Sequence, residues 1–364
     1  MKRTFINLLF MLFIIPMDTE AKIWRVNNNA DVVSDFTSLS DAMLAYASGD
    51  TIHLEPSLVG YTVTDNFFFT ANRFVTIIGN GYLFATTTDN PLDPDIRKSM
   101  ISPTAYAKIG VNADIKFIGI CFAGMVTLKK ISGPKYVSNV SFESCLFIGG
   151  IEYSDGAVAG ADQIDGLHFS KNNFFSMVSI NLSANPASLL YNFTVENNIF
   201  YYSFIIDPVP TNHDVIIIRN NIFKTDCACY QAYWANNIFT SITPPAVSGF
   251  GGGTLKNNLF ACPTFVTNAS TSVNNQFDIN MSAVFISNPG DSPDNVYVLA
   301  PGSVAIGAGV PNGLDPVDCG AYGGPNPYKP NGMPAIPSIS ELNVPPSVIE
   351  GNNIHIGVKS VSNN

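Results

Sequence analysis

Five times between residues 170 and 262 the chain writes two adjacent asparagines, an apolar residue and then phenylalanine: "SKNNFFSM", "VENNIFYYS", "IRNNIFKT", "WANNIFTS" and "LKNNLFAC". Counted from the first asparagine, the copies begin at Asn172, Asn197, Asn220, Asn236 and Asn257, at spacings of 25, 23, 16 and 21 residues. Weaker copies extend the series: Gly79 with Tyr82, Gly119 with Phe122 and Ser144 with Phe147 upstream, Asn274 with Phe277 downstream. A word repeated at a period of about 20 to 25 residues marks a solenoid, because no single unit can bury its own apolar face. The flanking columns say which kind. Two positions before the first asparagine, or the residue in its place, lie Phe117, Phe142, Val195, Ile218, Trp234 and Leu255, mostly large and apolar; one position before lie the charged Glu143, Lys171, Glu196, Arg219 and Lys256. Apolar next to charged is the alternation of a strand with one face in and one face out.

The repeat therefore predicts an all-β solenoid of short parallel strands, with coils about 4.8 Å apart. Asparagine suits a sharp corner because it tolerates the left-handed backbone. Turned inward, its amide can both donate and accept along the stack. Asn172, Asn197, Asn220, Asn236 and Asn257 accordingly read as a structural ladder, and Phe147, Phe175, Phe200, Phe223, Phe239 and Phe260 as one interior ring stack. The spacing of 16 is short for a full coil and leaves the boundary near residues 220–236 open.

A parallel stack needs covers at its ends. "DFTSLSDAMLAYASGDTIHL" predicts a helix with Leu39, Ala42, Met43 and Tyr46 on one face, capped by Ser38 or Ser40 and closed by Gly49 before a strand at 51–54. The first 21 residues have a secretory signal's pattern: Lys2 and Arg3, an apolar run from Phe5 to Ile15, and small residues ending at Ala21. The expected order is a signal peptide at 1–21, the solenoid at 22–324, a Pro-rich tether at 325–337 and a short C-terminal strand segment at 338–364. No other stretch is long enough to span a bilayer.

Only 13% of the 364 residues are charged, 46% are hydrophobic and the net charge is −10. Such a chain can build a large core but lacks the clustered cations that nucleic acid requires. Export permits disulfides, yet Cys121 and Cys145 lie in apolar runs and Cys227 and Cys229 stand too close for an easy bridge to each other. All six cysteines, with Cys262 and Cys319, are expected in structural use, their pairing left open.

The helix followed by "GDTIHLEP", the "NNIF" coils and the "YVLAPGSVAIGAG…DCGAYGG" ending together resemble the right-handed parallel β-helix superfamily, the pectate-lyase-like fold, over roughly residues 24–324. That resemblance implies the right-handed form of the solenoid with an N-terminal helical cap, and an extracytoplasmic location in periplasm, medium or cell surface. It does not imply one chemistry, since the superfamily holds lyases, hydrolases, epimerases and adhesins. Hydrolases of this type resemble one another in paired acids, and no Asp-Asp or His-Gly occurs here. A lyase would need a Lys or Arg base with Ca²⁺; Lys129, Lys130, Asp155, Asp162 and Asp165 are the residues that could supply one. The four histidines, His53, His168, His213 and His355, are scattered without triad or metal spacing. Tyr201, Tyr202, Tyr230 and Tyr233 flank the repeats and could stack on sugar rings. The reading preferred from sequence is an exported, non-catalytic β-helix binding a glycan or another surface partner, without cofactor; a polysaccharide lyase or glycoside hydrolase with a diverged site is the alternative.

Overall fold

The computed structural model describes residues 20–63, 73–82, 98–103, 109–111, 113–129, 136–154, 162–182, 188–207, 209–245, 247–264, 267–286, 294–345, 347 and 353–361. The expected leader lies outside them apart from its last two residues. The strands form three parallel sheets wound one after another. The first runs from Ile23–Val26 to Thr271–Val273, the second from Tyr61–Val63 to Leu259–Phe260, and the third from Ile109–Val111 to Cys227–Cys229. This is an all-β parallel β-solenoid, in keeping with the right-handed parallel β-helix, the hand that parallel crossovers take almost without exception.

Each letter of the repeated word has its own task. The first asparagine makes the corner between the first and second sheets: Asn197, Asn220, Asn236, Asn257 and Asn274 have φ between 55° and 59°. The second asparagine, not the first, forms the interior ladder. It runs through Asn172, Asn198, Asn221, Asn237, Asn258 and Asn275, each backbone N–H donating to the amide oxygen of the next at 2.9–3.0 Å. Asn198 Nδ2 also donates to Asn221 Oδ1 and to the carbonyls of Phe169 and Glu196. The fully buried amide thus satisfies corner groups that no strand can pair. The apolar letter points outward from the second sheet, and the phenylalanine points in.

One coil departs from the expected register. At residues 170–175 the left-handed corner is Lys171 (φ 56°), so Asn172 takes the ladder position and Phe174 pairs with Phe200. Identical letters suggested otherwise, but strand pairing of Ser170 with Glu196 fixes the corner one residue earlier. The interior stack is therefore Phe147, Phe174, Phe200, Phe223, Phe239, Phe260 and Phe277, with neighbouring centroids 4.4–5.2 Å apart. Phe175 leaves that column and stacks outside on Tyr201 at 4.4 Å. The slip also puts Asn173 in the outward column between Leu146 and Ile199, fully buried with neither amide atom hydrogen-bonded. The 16-residue spacing proves to be a complete coil: Ile222–Phe223, Cys227–Cys229 and Tyr233–Ala235 occupy all three sheets, joined by minimal turns.

The N-terminal helix forms as expected over Leu39–Ala45, with Ser38 accepting from the Asp41 N–H and Leu39, Ala42 and Met43 buried. Its apolar face joins the core beside Val26 and Ile52.

From Asp294 to Pro334 the chain returns along the outside of the solenoid and covers the second sheet. We refer to this segment as the strap. Ala305, Cys319, Ala321 and Tyr328 pack on Ile199, Ile222, Ile238 and Leu259, which explains why the third letter of the word is apolar although it faces away from the core. The corner residues grip the strap coil by coil, in reverse chain order. Asn257 donates to Ala308 O, Asn236 accepts from Val310 N, Asn220 donates to Asp318 O, Asn197 to Ala321 O and Gly323 O, and Lys171 to Asn326 Oδ1. Gly320 (φ 85°) lies so close to the sheet that a Cβ would meet Ile238 Cδ1 at 2.7 Å. Residues 325–334, expected within a tether, are seated against the solenoid: Tyr328 is buried, and its hydroxyl joins Tyr82 (2.7 Å) and Asp294 Oδ2 (2.7 Å). Asn331 N donates to the same carboxylate and its carbonyl accepts from Tyr82 N. Beyond the strap, Ser338–Asn343 and Gly357–Val361 pair antiparallel with each other.

Two outcomes are expected. Asn221→Ala should lower stability by about 1–3 kcal/mol through unsatisfied corner groups, whereas Asn173→Leu, which restores the outward column, should raise it by a similar amount; urea unfolding of both variants checks this, and destabilisation by Asn173→Leu would count against the assignment. Burial holds the Tyr82 and Tyr328 hydroxyls well above the usual value of 10. A raised folded-state value means stability that is complete below pH 10 and lost as pH rises beyond it. Tyrosinate absorbance should accordingly lag behind free tyrosine until the strap or the fold gives way.

Candidate functional site

The tyrosines do not share one face. Tyr201 and Tyr202 lie at the corner between second and third sheets, Tyr230 at the corner between third and first, and Tyr233 on the outer face of the first sheet. Both faces of Tyr201 are taken, one by Phe175 and the other by Lys224, whose Nζ stands 4.5 Å from the ring centroid. Its edge meets Tyr297, and burial pushes its hydroxyl up to about 12. Tyr202 is exposed, and the Tyr230 ring lies against Gly251. Tyr233 is half-buried at the rim of a cleft.

That cleft, of about 180 Å³, opens where the strap crosses the shortest coil. Its origin can be read in one column of the first sheet. Strand pairing aligns Glu143, Ser170, Glu196, Arg219, Ala235 and Lys256 on the outer face. Alanine leaves a notch between two cations. Tyr233 projects from the same strand two residues earlier, while Val310, Pro311 and Asn312 of the strap form the opposite wall. Asn220 and Asn236 close the floor, their amides already engaged with each other and with the strap. Arg219 is oriented by Glu196, which accepts from Nε (2.9 Å) and Nη2 (2.8 Å), and the guanidinium keeps further N–H donors toward solvent. An aromatic ring, a fixed cation and a proline wall can hold one small polar ring.

The candidates for proton transfer fall elsewhere. Lys130 and Asp155 lie outside the described residues; Lys129 ends the strand Val126–Lys129. Asp162 is buried, accepting from the Tyr153 hydroxyl at 2.9 Å, and Asp165 accepts from Asn192 Nδ2 at 2.7 Å. Each is held by the fold rather than aimed at a shared point. Among the described residues no group of three or more His, Cys, Asp or Glu side chains is placed to hold a metal ion. His53 bonds to Asn80, His168 to Thr194 and His213 to Gln231; burial lowers the His168 value. Sequence reasoning missed Arg219 and the 310–312 wall. The signal available was the single alanine in a column of longer polar side chains.

Parallel β-helices are the class that this fold defines. The crystal structure of pectate lyase Pel9A is similar at 13% identity, over 83% of this chain and 96% of that chain, with a TM-score of 0.38. No family model matches the chain. No curated protein matches it.

All six cysteines are free and buried. Burial raises every thiol, Cys121 to about 11 and Cys319 to about 12, so the reactive thiolate is suppressed. A thiol reagent such as DTNB should find no rapidly reacting group in the folded protein and six after denaturation. Rapid labelling of the native state would show a buried assignment to be wrong.

Proposed function

We propose that this protein is an exported β-helix that binds a glycan without turning it over, seating one sugar unit in the cleft beside the strap. The observation that carries the reading is the notch at Ala235, with the Tyr233 ring and the Arg219 guanidinium converging on it. A sugar ring presents C–H groups that pack on an aromatic ring and hydroxyls that accept from a guanidinium. The cleft buries little of a long chain, so affinity per site is modest. Export rests on the leader-like pattern from Lys2 to Ala21. No described helix is long and apolar enough to cross a membrane.

Glycan-array binding followed by titration tests the reading. Tyr233→Ala and Arg219→Ala should each weaken binding about fivefold to tenfold. Tyr202→Ala, on a different corner, should leave it unchanged. Loss of binding in Tyr202→Ala but not in Tyr233→Ala would move the site. Release of unsaturated products from a uronate polysaccharide would overturn the non-catalytic assignment.

A further inference from the structure

Lys171 takes a corner position that asparagine fills in the next five coils, and it grips the strap with an amine instead of an amide. Its side chain is 10% exposed. The Nζ atom donates to Asn326 Oδ1 at 2.8 Å and pairs with Glu143 Oε1 at 2.9 Å, while Lys116 holds Glu143 Oε2 at 2.8 Å. A nucleophile, a carboxamide and a carboxylate thus meet at one point, contributed by two adjacent coils and by a strap residue 155 positions away.

We propose that Lys171 and Asn326 are a site of covalent self-modification, an isopeptide bond that fastens the strap to the solenoid. Glu143 accepts a proton from the lysine ammonium. The freed amine attacks Asn326 Cγ, giving a tetrahedral centre, and the proton passes from the carboxylate to the departing nitrogen. The Cγ–Nδ2 bond breaks and ammonia leaves, the Nζ–Cγ bond remains, and Glu143 takes the second Nζ proton and passes it to the ammonia, which departs as one ammonium ion for each bond formed. Nothing is oxidised or reduced, and no co-reactant is consumed.

The surroundings favour this outcome in three ways. Lys171 is fixed and largely withheld from water, so attack is intramolecular; well-oriented groups of this kind reach effective molarities of about 10⁵ to 10⁸ M. Glu143 Oε1 stands 2.9 Å from Nζ, within proton-transfer distance, and the carboxyl, held below its usual range by Lys116 and Lys171 despite burial, gives the proton up readily to the departing nitrogen; such acid–base assistance is typically worth about 10² to 10⁴-fold. Asn326 is exposed, which gives ammonia an exit, and it precedes Pro327. Proline has no backbone N–H, so the cyclisation that commonly destroys an asparagine amide is closed to this one.

Peptide mapping of the purified full chain by mass spectrometry, fresh and after prolonged incubation at neutral pH, tests the proposal. The expected result is a branched peptide joining the Lys171 and Asn326 segments, one ammonia lighter than their sum, with no tryptic cleavage after Lys171. Lys171→Arg and Asn326→Ala should lack it, and Glu143→Gln should form it at least tenfold more slowly. Cleavage after Lys171 with an intact Asn326 amide in aged wild-type protein would overturn the bond. Formation at an unchanged rate in Glu143→Gln would overturn the role given to the carboxylate. The wild-type map decides the first question even where a variant fails to fold.

Discussion

Every coil of this protein must turn sharply out of the first sheet, and a sharp turn strands backbone groups in the interior. The buried asparagine ladder resolves that conflict. From Asn172 onward, one amide per coil takes the N–H of the preceding coil and gives its own hydrogens to carbonyls that no strand reaches, as Asn198 does in accepting from Asn172 N and donating to Phe169 O. Left unpaired, such groups would cost about 1–3 kcal/mol each. The phenylalanine stack, the strand register and the outward column all follow from having the corner in the same place in successive coils.

The strap depends on the same corner. Because the ladder occupies the second asparagine, the first is free to project outward, and its amide becomes the attachment point for residues 308–323. The third letter of the word then has an apolar cover to meet. The cleft arises at the junction of these parts, where a short coil, a small residue and a strap loop leave room beside Arg219 and Tyr233. Its chemistry is a by-product of geometry that first serves stability.

Much of this was legible in the sequence. The period, the in–out alternation of Phe142 with Glu143, the N-terminal helix and the left-handed corners at Asn197, Asn220, Asn236 and Asn257 could all be read because each repeats or obeys a local rule. The coil at Lys171 was misread by one residue because letter identity is a weaker guide than pairing with the neighbouring strand. The strap was not legible as such: it has no period, and its partners lie up to about 250 positions away, as Tyr328 does from Tyr82. Of the site, Tyr233 could be named from sequence but Arg219 and the 310–312 wall could not, since only the folded strap brings them together.

Solenoids are commonly treated as modular, with coils that can be added or removed as independent units. The reverse course of the strap removes that freedom here. Its contacts are counted out against the coils, from Asn257 at one end to Tyr82 at the other. Deleting a single coil would leave the strap one step too long, so that Asp318, Ala321 and Asn326 would each face the wrong corner. The strap acts as a ruler, and it ties the number of coils to the length of a segment made after all of them.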